Sequence, residues 1–151
     1  MLFTILDNEP LLQRAKELEA SGRVIQKETY SFLKTDDAYV HTLFDLLDTK
    51  STAQKPDYFS LPEPIGAHIT ITYNEENIIL DHDDIDKMHA FFVTKVAHVI
   101  LGNKEYVVLM ISAPSLAQLR AKYGLSEKPR YKGYAIDFHI TIATRPLLSL
   151  Q

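Results

Sequence analysis

One tetrapeptide occurs twice in this chain of 151 residues, and it restricts the possible folds more than any other feature. His-Ile-Thr-Ile begins at His68 and again at His139. Each copy is short, rich in β-branched residues and alternating in polarity, which is typical of a strand with one buried face. Because successive side chains of a strand point to opposite faces, His68 shares a face with Thr70, and His139 shares a face with Thr141. The repeat predicts two strands with matching polar faces.

The same alternation predicts the orientation of the residues that follow each copy. Thr72 is expected on the face of Thr70, with Tyr73 turned away. In the second copy, Ala143 is expected on the face of Thr141. The isoleucines of both copies would then face the core.

The rest of the chain predicts a mixture of helices and strands. Before the first copy of the repeat, the pattern predicts a helix capped by Asp7 or Asn8 and ending at Gly22, a strand over 24–33, a helix from Thr35 to Leu47 and a loop over 49–64. Between the two copies it predicts a strand over 78–80, a short helix over 81–89 and a hairpin of 91–101 and 105–112. A helix over 114–124 and a loop over 125–133 then lead to the second copy. The predicted fold class is α+β. We expect one domain over 1–151, with a helical N-terminal part and loop over 1–65, and with both motif strands and the hairpin over 66–144.

Composition excludes several classes of function. The chain has no cysteine, so disulfide frameworks, iron–sulfur clusters and cysteine nucleophiles are excluded. Neither a signal peptide nor a membrane-spanning run is recognisable, and a cytoplasmic location is expected. The net charge of −4 argues against extensive binding to duplex nucleic acid.

Basic residues nevertheless collect around the second copy of the repeat. They are Arg120, Lys122, Lys128, Arg130, Lys132 and Arg145. Such a group on an acidic protein predicts a compact cationic funnel that would suit one phosphate group.

Two histidines on facing strands suggest acid–base chemistry. Imidazole titrates near neutral pH, so one histidine can act as general base and the other as general acid without a metal ion. This pairing suits in-line displacement at phosphorus, where Thr70 and Thr141 would donate to the oxygens that gain charge.

The two His-x-Thr-x strands resemble those of the two-histidine (2H) phosphoesterase superfamily, whose members include RNA cyclic phosphodiesterases and 2′-5′ RNA ligase-like proteins. The resemblance is greatest to the Swiss-army-knife RNA-repair-like group. It covers residues 66–144 and includes the segments 114–120 and 123–125. It implies a bilobal fold, in which two antiparallel sheets with flanking helices face a central cleft. It also implies that the catalytic residues are His68, Thr70, His139 and Thr141.

Further residues near the motifs are candidates for substrate binding. Tyr73, Tyr131 and Tyr134 could stack on a base, and Arg130 or Lys132 could contact phosphate. The acidic segment 81–86 does not fit a calcium loop and is more typical of a helix start. No metal and no cofactor are expected.

The predicted function is a metal-independent phosphodiesterase acting on a nucleotide or an RNA end, at a 2′,3′-cyclic phosphate or a 2′-5′ linkage. One alternative is hydrolysis of cyclic oligonucleotide signals. Another is a protein that binds a nucleotide or RNA end without turnover, and a third is a pair of edge strands with ordinary structural histidines. We expect a monomer.

Overall fold

The computed structural model describes residues 1–47, 53–59 and 64–146. Its helices are α1 (Glu9–Lys16), α2 (Ala38–His41) and α3 (Pro114–Lys122). Its strands are β1 (Leu2–Leu6), β2 (Ser21–Lys27), β3 (Tyr30–Lys34), β4 (His68–Thr72), β5 (Met88–Ala90), β6 (Phe92–Leu101), β7 (Lys104–Ser112), β8 (Arg130–Tyr131), β9 (Tyr134–Ala135) and β10 (His139–Pro146).

Two antiparallel sheets of four strands each form the body of the protein. The large sheet has the order β1-β6-β7-β10, and the small sheet has the order β4-β3-β2-β5. Strands β8 and β9 form a separate ribbon. The predicted α+β class and the pair of antiparallel sheets are confirmed.

Each sheet is built in the same way around its motif strand. In the large sheet the hairpin β6–β7 pairs with β10, and in the small sheet the hairpin β2–β3 pairs with β4. Both motif strands are therefore edge strands, and they contact each other where the two sheets meet. This arrangement brings both copies of the repeat to one place.

The isoleucines of the repeat form the centre of the core. Ile69, Ile71, Ile140 and Ile142 are all fully buried. Burial of a side chain of this size contributes about 1.5–3 kcal/mol relative to exposure. The apolar faces of the motif strands therefore hold the polar faces in fixed positions.

The strict alternation fails after Thr70 because β4 contains a β-bulge. Thr70 pairs with Phe32, whereas Thr72 pairs with Ser31, so one residue of β4 has no partner on β3. Adjacent residues of β3 point to opposite faces, and Thr72 therefore lies opposite to Thr70. The Thr72 hydroxyl instead bonds Ser31 at 2.6 Å in the core. The predicted orientations of Thr72 and Tyr73 are wrong for this reason.

An equivalent bulge follows Thr141 in β10. Thr141 pairs with Val108, whereas Ala143 pairs with the adjacent Val107, so Ile142 is the extra residue. Ala143 is fully buried and lies on the face opposite to Thr141, which corrects its predicted orientation. The two copies of the repeat thus share a local distortion as well as a sequence.

The region 1–65, predicted as a helical part and a loop, contains α1 and α2 and also supplies three strands. Strand β1 joins the large sheet, and β2 and β3 form a hairpin in the small sheet. Helix α1 ends at Lys16, and Gly22 lies within β2 instead of ending the helix. A Cβ atom at Gly22 would lie 2.3 Å from the Lys34 carbonyl oxygen, so the glycine permits close approach of β3.

The prediction for the middle of the chain was only partly correct. The hairpin β6–β7 and the helix α3 are confirmed; Gly102 lies in the hairpin turn and Gly124 follows the helix, both with positive φ. The predicted helix over 35–47 shortens to α2 and a 3-10 turn (Phe44–Leu46). The segment 78–80 is not a strand, and 81–89 contains a 3-10 turn (His82–Asp84) followed by β5. Part of the predicted loop over 49–64 falls outside the described residues.

The described ranges contain no helix that is both long and apolar enough to cross a membrane.

Candidate active site

A cleft of about 220 Å³ lies between the two sheets, and both copies of the repeat face it. Its lining includes the predicted catalytic residues His68, Thr70, His139 and Thr141. The remaining lining is mostly aromatic and aliphatic: Met1, Phe3, Tyr30, Tyr58, Tyr73, Val99, Leu101, Tyr106, Val108, Met110, Tyr131, Ala135, Ile136 and Asp137.

The ring of His68 is oriented by the backbone two residues before it. Its Nδ1 lies 2.7 Å from the Gly66 carbonyl oxygen. A carbonyl only accepts hydrogen bonds, so Nδ1 carries the proton and Nε2 of the neutral ring has a free lone pair. Gly66 has a φ of +73°, and a Cβ atom there would lie 2.4 Å from Asp37 Oδ1. Glycine is therefore required at the position that orients this histidine.

His139 is held in the same way. Its Nδ1 lies 2.8 Å from the carbonyl oxygen of Asp137, again two residues earlier. The neutral ring thus has the same tautomer as His68. The two imidazoles are equivalent in local geometry, and each can accept or donate a proton at Nε2.

The surroundings of the two histidines differ in charge. Burial, with smaller contributions from the charges of His139 and Lys34, lowers the pKa of His68 to about 4, although the hydrogen bond to the Gly66 carbonyl opposes the shift. Burial also lowers the pKa of His139, but the Asp137 carboxylate opposes this shift. The charged neighbour of His68 on β3 is therefore the Lys34 ammonium, whereas the charged neighbour of His139 is the Asp137 carboxylate.

Tyrosine hydroxyls complete the hydrogen-bond network of the motif residues. The Tyr30 hydroxyl lies 3.0 Å from His68 Nε2 and 2.7 Å from Thr70 Oγ1. The Tyr58 side chain hydrogen-bonds Thr141, and burial raises the pKa of Tyr58 to about 12. Sequence analysis missed both tyrosines, because Tyr30 reaches the site only through the β3–β4 register and Tyr58 through a loop.

A family model for the Swiss Army Knife 2H phosphoesterase domain matches residues 31–147. This match includes both motif strands and more than half of the chain. The chain belongs to the 2H phosphoesterases. The predicted resemblance is confirmed, and the match begins well upstream of residue 66, at β3. Searches of curated proteins and of solved structures gave no significant match.

Three tyrosines of this 2H phosphoesterase form a tyrosine platform, which consists of Tyr30, Tyr73 and Tyr131. The rings of Tyr73 and Tyr131 have centroids 4.8 Å apart, and those of Tyr30 and Tyr73 are 6.3 Å apart. The bulge in β4 returns Tyr73 to the face of Thr70, which brings it into the cleft. Tyr134 lies on β9 with 42% of its surface exposed and does not line the cleft.

The predicted phosphate contacts Arg130 and Lys132 also lie outside the lining of the cleft. The Arg130 guanidinium is exposed and lies 3.5 Å from the Gly133 carbonyl oxygen. The Lys132 ammonium lies over the Tyr131 ring, 5.3 Å from its centroid. Within the described part of the chain, no lysine or arginine lines the cleft.

The predicted cationic funnel is not formed, because most of its members pair with carboxylates from distant segments. Their partners could not be recognised from local spacing. The pairs are Arg120–Glu76, Lys122–Asp84, Lys128–Asp137 and Arg145–Glu105.

Arg120 has a structural position beneath the site. Its side chain is 1% exposed, and it forms two hydrogen bonds with Glu76, at 2.6 and 3.0 Å. Its other donors bond the carbonyl oxygens of Ile71, Ser126 and Lys128. All the donors of the guanidinium are therefore used, and one of them holds the backbone of the β4 bulge.

No group of three or more metal-binding side chains occurs among residues 1–47, 53–59 and 64–146. In the acidic segment 81–86, Asp84 instead pairs with the ammonium of Lys122 at 2.7 Å and accepts a hydrogen bond from the Tyr123 hydroxyl. These two contacts of Asp84 therefore join the 3-10 turn (His82–Asp84) to the C-terminal end of α3.

Proposed function

We propose that this 2H phosphoesterase hydrolyses phosphodiesters of a nucleotide or an RNA end, at a 2′,3′-cyclic phosphate or a 2′-5′ linkage, by acid–base catalysis without a metal ion. The observation that carries the proposal is the matched anchoring of His68 and His139. Each ring has its Nδ1–H bonded to a backbone carbonyl, and both line one cleft. Two such imidazoles can transfer protons on opposite sides of one phosphorus atom.

The reaction begins when one imidazole removes a proton from a water molecule. The water oxygen forms a bond to phosphorus while the bond from phosphorus to the leaving oxygen breaks. The second imidazole, in its protonated form, donates a proton to that leaving oxygen. The hydroxyls of Thr70 and Thr141 donate to the non-bridging oxygens, where negative charge increases in the transition state.

The unequal surroundings of the histidines support a direction for these proton transfers. A general base must be neutral before reaction, and His68 is 7% exposed, lies beside Lys34 and contacts the Tyr30 hydroxyl at Nε2. A general acid must be protonated; burial lowers the pKa of His139, but the hydrogen bond to the Asp137 carbonyl and the Asp137 carboxylate both oppose that shift, whereas both charged neighbours of His68 add to the shift there. We assign His68 as the base and His139 as the acid.

The charge of the cleft supports a diester substrate over a monoester. The described lining has hydroxyls, imidazoles and the carboxylate of Asp137, but no lysine or arginine. A phosphodiester carries one negative charge, whereas a monoester or polyphosphate carries more and would need cations to replace its hydration. The tyrosine platform supports a nucleoside on one ester oxygen, because each base has a flat face that can stack on tyrosine. We propose a single nucleotide or RNA end as the ligand, no extended duplex, and a monomeric enzyme.

The decisive experiment measures hydrolysis of 2′,3′-cyclic nucleotides, 2′-5′ dinucleotides and cyclic dinucleotides in the presence of EDTA. His68→Ala and His139→Ala are expected to lose most activity, and His82→Ala, at an exposed histidine outside the cleft, is the control. With a p-nitrophenyl leaving group, which needs no general acid, His139→Ala should regain activity but His68→Ala should not.

Several outcomes would refute the proposal. Activity that EDTA abolishes would contradict a metal-independent reaction, and full activity in either alanine variant would remove that histidine from the mechanism. Rescue of His68→Ala alone would reverse the assignment of base and acid. Ligand binding without product at any pH from about 5 to 9 would identify a binding protein instead of an enzyme.

A further inference from the structure

An apolar ledge continues the cleft along the large sheet, and acid–base catalysis does not use it. The ledge consists of Met1, Phe3, Val99 and Leu101, all of which line the cleft. Met1 and Phe3 are 49% and 48% exposed. Large apolar side chains that remain exposed together beside a site indicate a surface that an apolar group can cover.

Strand pairing explains why the ledge is continuous with the site. Phe3 pairs with Val99, and Val99 pairs with Tyr106, so these side chains form one row across three strands. On β7 the same face carries Tyr106, Val108 and Met110, and Met110 pairs with His139. A largely apolar strip therefore runs along β7 for roughly 13 Å, at about 3.3 Å per residue of strand, from Met110 beside His139 to Tyr106 beside the ledge.

The tyrosine platform lies on the other side of the cleft. Tyr30 and Tyr73 belong to the small sheet and hydrogen-bond Thr70, next to His68. The two substituents of a bound phosphodiester would thus meet different surfaces. One is the tyrosine platform on the His68 side, and the other is the ledge, reached from the His139 side past Tyr106, Val108 and Met110. The ledge carries no side chain that could pair with the polar edge of a base.

We propose that the preferred substrate is a nucleoside phosphodiester whose other ester oxygen carries an alkyl or similarly apolar group, and that this group lies on the ledge. This inference rests on the proposed function and on His139 as the acid. Water adds to phosphorus and gives its proton to His68, and the bond from phosphorus to the apolar alcohol oxygen breaks. His139 protonates that oxygen, and the products are a nucleoside monophosphate and a neutral apolar alcohol.

The experiment compares kcat/KM for 2′,3′-cyclic nucleotides with that for methyl, butyl, octyl and decyl esters of one nucleoside 5′-monophosphate. In the native protein we expect a rise of roughly twofold to fourfold for each methylene that the ledge covers, from the free energy of burying a methylene. A methyl ester ends beside His139, whereas the longer alkyl chains extend along the strip towards the ledge.

Phe3→Ser tests the ledge directly, and Val99→Thr tests it with a side chain of similar shape that keeps the strand propensity. Both should flatten the dependence on chain length, and should reduce kcat/KM far more for the long alkyl esters than for cyclic nucleotides. The matched control is Leu2→Ser, because Leu2 is 67% exposed and lies on the opposite face of β1. This control should keep the full dependence on chain length.

The outcomes separate this inference from the proposed function. If no phosphodiester is hydrolysed, the proposed function fails and the inference fails with it. If cyclic nucleotides are hydrolysed but the ester series is flat in the native protein, only the inference is overturned. It is also overturned if sedimentation shows a dimer that Phe3→Ser converts to monomers, because a second copy would then cover the ledge.

Discussion

Removal of the Arg120 guanidinium should destabilise the protein far more than removal of an exposed arginine. Arg120→Met keeps most of the side-chain volume in α3 but leaves Glu76, itself 5% exposed, without its cation. Loss of one partner of a buried ion pair costs about 3–5 kcal/mol. At about 2–4 °C per kcal/mol for a chain of this size, the melting temperature should fall by roughly 6–20 °C.

The assay is thermal and urea unfolding followed by circular dichroism, with Arg14→Met as the matched control. Arg14 pairs with Glu17 at 2.9 Å, but the two side chains are 44% and 65% exposed. Loss of this exposed pair should cost less than about 1 kcal/mol. Adding Glu76→Gln to Arg120→Met should recover part of the loss, because the uncompensated charge is then removed while an acceptor remains for the backbone N–H of Tyr73. Equal costs for Arg120→Met and Arg14→Met would refute the view that Arg120 is a buried, desolvated anchor.

Three other predictions follow from the geometry around His68. The pKa of His68 is about 4 in the folded protein and near 6.5 in the unfolded chain, so the neutral ring stabilises the fold above pH 6.5. This contribution, about 3 kcal/mol, is lost as the pH falls from 6.5 to 4. An unfolding free energy that does not change over this range in the native protein would contradict the prediction. Tyr30→Phe removes the hydroxyl at Nε2 that favours the neutral ring, so the His68 pKa measured by NMR should rise, and a fall would contradict the assigned hydrogen bond. Gly66→Ala should destabilise the protein by about 1–3 kcal/mol more than Gly124→Ala. Both glycines have positive φ, but only Gly66 has a neighbour, Asp37, that an added Cβ atom would clash with. Equal losses of stability in the two variants would contradict this clash.

The elements that sequence analysis predicted correctly are those whose signals are local. The hairpin β6–β7 has its turn glycine at Gly102, and α3 has Pro114 at its start, so neither depends on distant residues. The repeated tetrapeptide likewise indicated both motif strands. The family match supports the general activity, while the catalytic roles of the four motif residues stay a prediction.

The features that the sequence did not reveal depend on contacts between distant segments. Tyr30 meets His68 only because β3 and β4 pair in one register, and the bulge in that register also redirects Tyr73. From the sequence, Arg120 is typical of a surface cation, whereas in the structure it is buried in an ion pair with Glu76 from another segment. Alternation and local charge spacing contain no information about such partners.

The strand order also has a consequence for how the protein folds. The large sheet takes β1 from one end of the described chain and β6, β7 and β10 from the other, while the small sheet closes only when β5 pairs with β2. All four strands of the small sheet lie within residues 21–90, whereas the large sheet is complete only when β1 pairs with β6 across that whole segment. Such long-range pairing slows folding and favours a single cooperative transition. The spacing between the two histidines is therefore established in that one step, and a single cut between β5 and β6 would leave the large sheet without β1 while the small sheet kept all four strands.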